Sequence, residues 1–124
     1  MARTFLFLGS TLAFLSVALG AFGAHALKSR ISSDMLSVYE TGVHYHMVHA
    51  LALILIAILS DKMRYSSLVP WSGWLLLIGI VLFSGSLYAL SITGIRTLGI
   101  ITPFGGMAFL IGWALLALAA LRSL

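Results

Sequence analysis

Residues 68–91 read LVPWSGWLLLIGIVLFSGSLYALS, without one Asp, Glu, Lys or Arg. At about 1.5 Å of rise per residue a helix of this length reaches ~36 Å, past the ~30 Å of bilayer hydrocarbon. In lipid a segment must satisfy its own backbone hydrogen bonds, which a helix does. The polar-apolar alternation of a barrel strand is absent. The stretch therefore predicts a transmembrane helix. Moving outward, residues 4–26, 43–60 and 98–121 are equally free of these four residue types. Four spans joined by short loops predict an all-α membrane protein, an antiparallel four-helix transmembrane bundle forming one integral-membrane domain over residues 1–124.

Composition agrees. Of 124 residues, 61% are apolar or aromatic and 8% are charged, against roughly 25% charged in a soluble domain. That much apolar surface exceeds what a small water-soluble core can bury. The formal charge of +4 comes from Arg3, Lys28, Arg30, Lys62, Arg64, Arg96 and Arg122 against Asp34, Glu40 and Asp61, all at or between the apolar stretches. Scattered this way, the cations read as membrane-flanking anchors. A nucleic-acid binder would cluster them with aromatics on one water-facing surface, so nucleic acid is excluded as a partner and the lipid bilayer is expected. No cysteine is present, which removes disulfides and thiolate metal sites.

The first stretch, with Arg3 before it and Ala24-His25-Ala26 at its end, imitates a secretory signal with a small-residue cleavage site. Its apolar run is long for a signal, and it is read as a span. Between the first two spans, Met35, Val38, Tyr39, Gly42, Val43 and His46 recur at helical spacing. A Ser37–Glu40 capping box is expected to start a short interfacial helix there, which either bends at Gly42 or runs into the second span. Pro70 and Trp71 open the third span at headgroup level, and Thr102-Pro103 is expected to cap and open the fourth. With four spans both termini share a side with the 61–67 loop. Four cations there, Arg3, Lys62, Arg64 and Arg122, against three opposite lean the termini to the cytoplasm.

Small residues recur four apart at Ser16, Gly20 and Ala24, at Gly85 and Ala89, and at Ala108 and Gly112, with Gly105 and Gly106 opening the fourth helix. Such ridges let helix backbones approach closely. They pack the four helices of one chain or serve as a seam to a second copy or another membrane protein.

The chemically capable residues gather at one end. His25 closes the first span, and His44, His46 and His49 open the second beside Glu40 and Tyr45, with Tyr88 near the end of the third. His25, Glu40, Tyr45, His46, His49 and Tyr88 form the candidate polar or ligand patch. His46 and His49 share a helix face, whereas His44 points away. With His25 they could supply three nitrogens to a metal, yet neither a HExxH nor a paired Glu-x-x-His pattern is present. The alternatives are imidazoles that hydrogen-bond loop backbone and proton handling by His49 or Glu40. No acid or base sits mid-span as in ion-coupled carriers, and Ser84 and Ser86 lack a nearby acid. No catalytic residue, metal ligand or cofactor is assigned. A non-enzymatic accessory or interaction protein is the favoured reading, and a metal-, haem- or small-ligand-binding protein is the alternative.

Four strings, in order, carry a further signal: residues 20–27 GAFGAHAL, 39–51 YETGVHYHMVHAL, 83–88 FSGSLY, and 101–106 ITPFGG followed by Gly112-Trp113. Together they resemble the small integral-membrane family called domain of unknown function 423, also described as transmembrane protein 256-like, over nearly the whole chain. The resemblance implies a four-span protein of the bacterial inner membrane, with relatives in eukaryotes. It implies no established activity. The motif positions carried over are His25, Tyr45, His46, His49, Tyr88, Thr102, Pro103, Gly105 and Gly106.

Overall fold

Every long element in the computed structural model, which describes residues 1–122, is a helix, and among the described residues there is no strand. Helix α1 spans Ala2–Phe22 and continues through a π-helical turn, Gly23–Leu27. Helix α2 spans Ser33–Lys62. The third span comprises α3, Leu68–Gly79, a π-helical turn, Ile80–Ser84, and α4, Gly85–Thr93. A 3-10 turn, Arg96–Ile100, leads into α5, Thr102–Arg122. Four stretches are long and apolar enough to cross a membrane: Ala2–Leu27, Ser33–Lys62, Leu68–Thr93 and Arg96–Arg122.

The second span departs from expectation at its start. The helix begins at Ser33, and Ser32, not Ser37, is its N-cap, its hydroxyl accepting from the Met35 N–H at 3.1 Å. Asp34 in the first turn favours the positive end of the helix dipole. Ser37 and Glu40 lie inside the helix, so the expected capping box does not form, and α2 passes Gly42 unbroken. At 30 residues it is about 45 Å long. Thr102 also differs by one position, being the first residue of α5 instead of its cap. Its hydroxyl meets Ser86 Oγ on α4 at 2.6 Å. The loop before it is entered by Gly94 at φ 74°, the left-handed conformation that closes α4 with a bond from its N–H to the Leu90 carbonyl.

Contacts descend one helix as they climb the next. On the first span, Gly9 meets Ile54 and the Ala50 carbonyl, Ser16 meets Met47, Gly20 meets Val43, and Gly23 lies under the Tyr39 ring. Between the third and fourth spans, Gly112 meets Leu76, Gly79 meets the Phe109 ring, and Gly105 lies against the backbone of Phe83. Both pairs are thus antiparallel. The helices α1 and α2 pack along each other, and the third span packs on both α2 and α5. Phe5, Leu53, Ile56, Val69, Leu76, Ile80 and Phe109 form one buried cluster. Lipid tails are as apolar as these side chains, so the association gains from close van der Waals contact and interhelical hydrogen bonds. Large apolar residues such as Phe7, Phe14, Val81, Phe104 and Leu110 cover the outside.

Candidate functional site

Because α2 starts at Ser33, its histidines sit about halfway along it instead of at its mouth. The 3.6-residue period then sorts them: His46 and His49 turn inward, 3% and 4% exposed, while His44 and Tyr45 turn out. The partners of the inward pair on other spans come from the third span and α5.

His49 is bonded at both ring nitrogens. Nδ1 lies 2.8 Å from the Tyr45 carbonyl one turn back, and Nε2 lies 3.0 Å from the indole nitrogen of Trp113 on α5. A carbonyl only accepts and an indole N–H only donates, so Nδ1 carries the hydrogen and Nε2 accepts. The ring is neutral in this arrangement. It lies flat on Phe109, with centroids 3.7 Å apart and planes 12° from parallel. His49 thereby ties α2 to α5.

His46 ties α2 to α4 through a 2.7 Å bond between Nδ1 and the Tyr88 hydroxyl. Its Nε2 is buried without a hydrogen-bond partner among the described residues. The Tyr88 ring packs over Gly42 and lies 5.3 Å from that of Tyr39, whose hydroxyl donates to the Leu19 carbonyl at 2.6 Å. Ser84 Oγ donates to the Gly42 carbonyl at 2.7 Å. Side-chain hydrogen bonds therefore join α2 to α1, the third span and α5, and the third span to α5.

Of the six patch residues expected from sequence, the fold gathers His46, His49 and Tyr88 inside, with Tyr45 at the edge. The Tyr45 ring sits 4.7 Å from that of Phe83 and nearly parallel to that of His49. His25 and Glu40 are not brought to this layer. Both are exposed, His25 in the first π turn and Glu40 on α2, where it lines an outer groove with His44, Gly20, Gly23 and Ala24. Among the described residues no three His, Cys, Asp or Glu side chains converge as metal ligands. The three-nitrogen arrangement of His25 with His46 and His49 is therefore not formed. Trp113, Tyr39 and the hydroxyls of Ser84, Ser86 and Thr102 also take part in these contacts, although none is among the six candidate patch residues. Trp113 carried a usable signal: an indole N–H far from either helix end requires a buried partner.

The small-residue ridges divide similarly. Ser16 and Gly20 face α2, and Gly105, Ala108 and Gly112 are turned inward, while a Cβ on Gly106 would stand 3.9 Å from the Phe83 ring. Ala24 is exposed, Ala89 is half-buried, and the space beyond Gly85 is open.

The family model described as "Protein of unknown function (DUF423)" matches residues 19–106. The UPF0382 membrane protein YwdK of Bacillus subtilis (strain 168) is 52% identical over 122 residues, 98% of this chain and 99% of that protein. The UPF0382 membrane protein SH2409 of Staphylococcus haemolyticus (strain JCSC1435) is 45% identical over 120 residues, 97% of each chain. No solved structure matches. A bundle of four apolar spans, a family match over most of its length and near-full-length membrane-protein relatives lead to one conclusion: this chain is a membrane protein of the DUF423 family.

Proposed function

We propose that this protein works by association within the bacterial inner membrane, as an accessory or interaction protein that packs with a second copy or with another membrane protein. The carrying observation is that the chemically capable groups inside the bundle are largely committed to joining its helices. His49 has no free nitrogen, and the hydroxyls of Tyr39, Ser84 and Ser86 are bonded. Small positions such as Ala24 and Gly85 remain outside that packing and suit close helix approach. On this reading the termini face the cytoplasm, supported by the larger share of the cations on their side. The alternative, a metal, haem or other small ligand at the histidines, draws support from one observation: the unpartnered Nε2 of His46.

Mild-detergent purification followed by chemical cross-linking, elemental analysis and a visible spectrum separates the two. The expected result is a complex of defined stoichiometry, with itself or one co-purifying membrane protein, and neither stoichiometric metal nor a Soret band. A stoichiometric metal or a Soret band lost in His46→Ala would overturn the association reading.

A further inference from the structure

At the end of the bundle opposite the α1–α2 turn, the last residue of α2, the following turn, the start of α3 and the last residue of α5 surround a cleft of about 450 Å³. Lys62, Arg64 and Arg122 all line it. These are three of the seven Lys and Arg residues of the chain, gathered around one concavity. No carboxylate side chain lines the cleft, and none of the three cations makes an ion pair among the described residues. Like charges that line one cleft repel unless an anion lies between them. The hydroxyls of Ser66 and Ser67 add donors, and α3 begins there without a side-chain cap, so its dipole adds to the positive potential. The remaining wall is apolar, from Met63, Leu68 and Ala119.

We propose that this cleft binds the phosphate of an anionic phospholipid headgroup, held by Lys62, Arg64 and Arg122, with the glycerol and upper acyl region on the apolar wall. Guanidinium forks match phosphate oxygens in pairs and the ammonium adds a point charge. The location fits, because the cleft lies where three spans end. Trp71, 63% exposed one turn into α3, marks the interfacial level favoured by indole. Free phosphate offers the same oxygens, but it leaves the apolar wall uncovered.

The test is native mass spectrometry of the full chain released from mixed micelles of phosphatidylglycerol and phosphatidylcholine, with a second arm in millimolar inorganic phosphate. The wild-type chain is expected to retain phosphatidylglycerol in preference to phosphatidylcholine. K62Q/R64Q/R122Q should lower that retention about tenfold or more, since each cation near an anionic surface contributes measurably. K28Q/R30Q/R96Q removes as many charges from the other end and should leave retention unchanged, and R64K/R122K should keep most of it. All the substituted side chains are exposed, and an unchanged melting temperature verifies that each variant folds. Equal loss in both glutamine triples, no preference between the lipids, or displacement of the lipid by inorganic phosphate would each overturn the proposal.

Discussion

An imidazole bonded at both nitrogens has a single neutral tautomer open to it, and in His49 one of those bonds crosses from α2 to α5. Trp113→Phe keeps an aromatic ring but deletes the donor together with part of the indole's contact surface, leaving Nε2 a buried acceptor without a partner. Interhelical hydrogen bonds in membranes average ~0.6 kcal/mol and reach about 1.7. A loss of about 1 kcal/mol is therefore expected in equilibrium unfolding in mixed micelles. His49→Ala also strips the ring from Phe109 and should cost more. The double variant should lose less than the two single losses combined, because the shared bond can be removed only once. The same reasoning separates two histidines that lie two positions apart. His46→Ala opens a hole beside Tyr88 and should destabilise clearly, whereas the exposed His44 should accept Ala within about 0.5 kcal/mol. Helical spacing alone anticipated this difference, since positions two apart face nearly opposite directions. Bonding partners could not be anticipated in the same way. They depend on which side chains four helices bring to one level.

At the scale of the element, the glycines of α4 and α5 behave oppositely although both lie in helices. A Cβ on Gly105 would run into the backbone nitrogen and Cα of Phe83, which have no rotamer by which to retreat. Gly105→Ala should therefore push the third and fourth spans apart at a cost of about 1–3 kcal/mol. Gly85 has open space where its Cβ would stand, so Gly85→Ala should stabilise by up to about 1 kcal/mol through helix propensity alone. Thermal unfolding of the two purified variants checks the opposed signs. The start of α2 offers another contrast, because Ser32→Ala removes the cap bond to Met35 and should cost about 1 kcal/mol. The loss should appear as faster hydrogen exchange confined to the first turns. In the sequence, the spacing to Glu40 pointed to Ser37 as the cap. The choice falls to Ser32 because the helix must already be wound where Tyr39 reaches the Leu19 carbonyl and Gly42 receives the Tyr88 ring. Those contacts come from other spans, which is why the start of α2 was less legible than its apolar stretch.

For the whole molecule, the number and order of spans were legible because hydrocarbon thickness sets a length that charge-free segments must meet. The depth of the histidines was not, since ten added residues at the start of α2 move His46 from the mouth of the helix to its middle. The alternation of direction follows from the contacts: Gly9 with Ile54 and Gly20 with Val43 make α2 run against α1, and Gly79 with Phe109 and Gly112 with Leu76 make α5 run against the third span. An even number of crossings then returns the chain to its starting side. Reporter fusions at the N-terminus, at the C-terminus and in the turn at Arg64 should therefore report one compartment, and a fusion at Ser29 the other. Arg3, Lys62, Arg64 and Arg122 lie on the first side and Lys28, Arg30 and Arg96 on the second, so the first is expected to be the cytoplasm. The margin is one charge. Orientation should consequently be sensitive to Arg64 and Lys62, and K62Q/R64Q should produce a mixed population, whereas K28Q/R30Q should sharpen the wild-type result. Fusions that place the two termini in different compartments would contradict four crossings outright. Fusions that agree with each other but report the periplasm would keep the bundle and reverse its orientation.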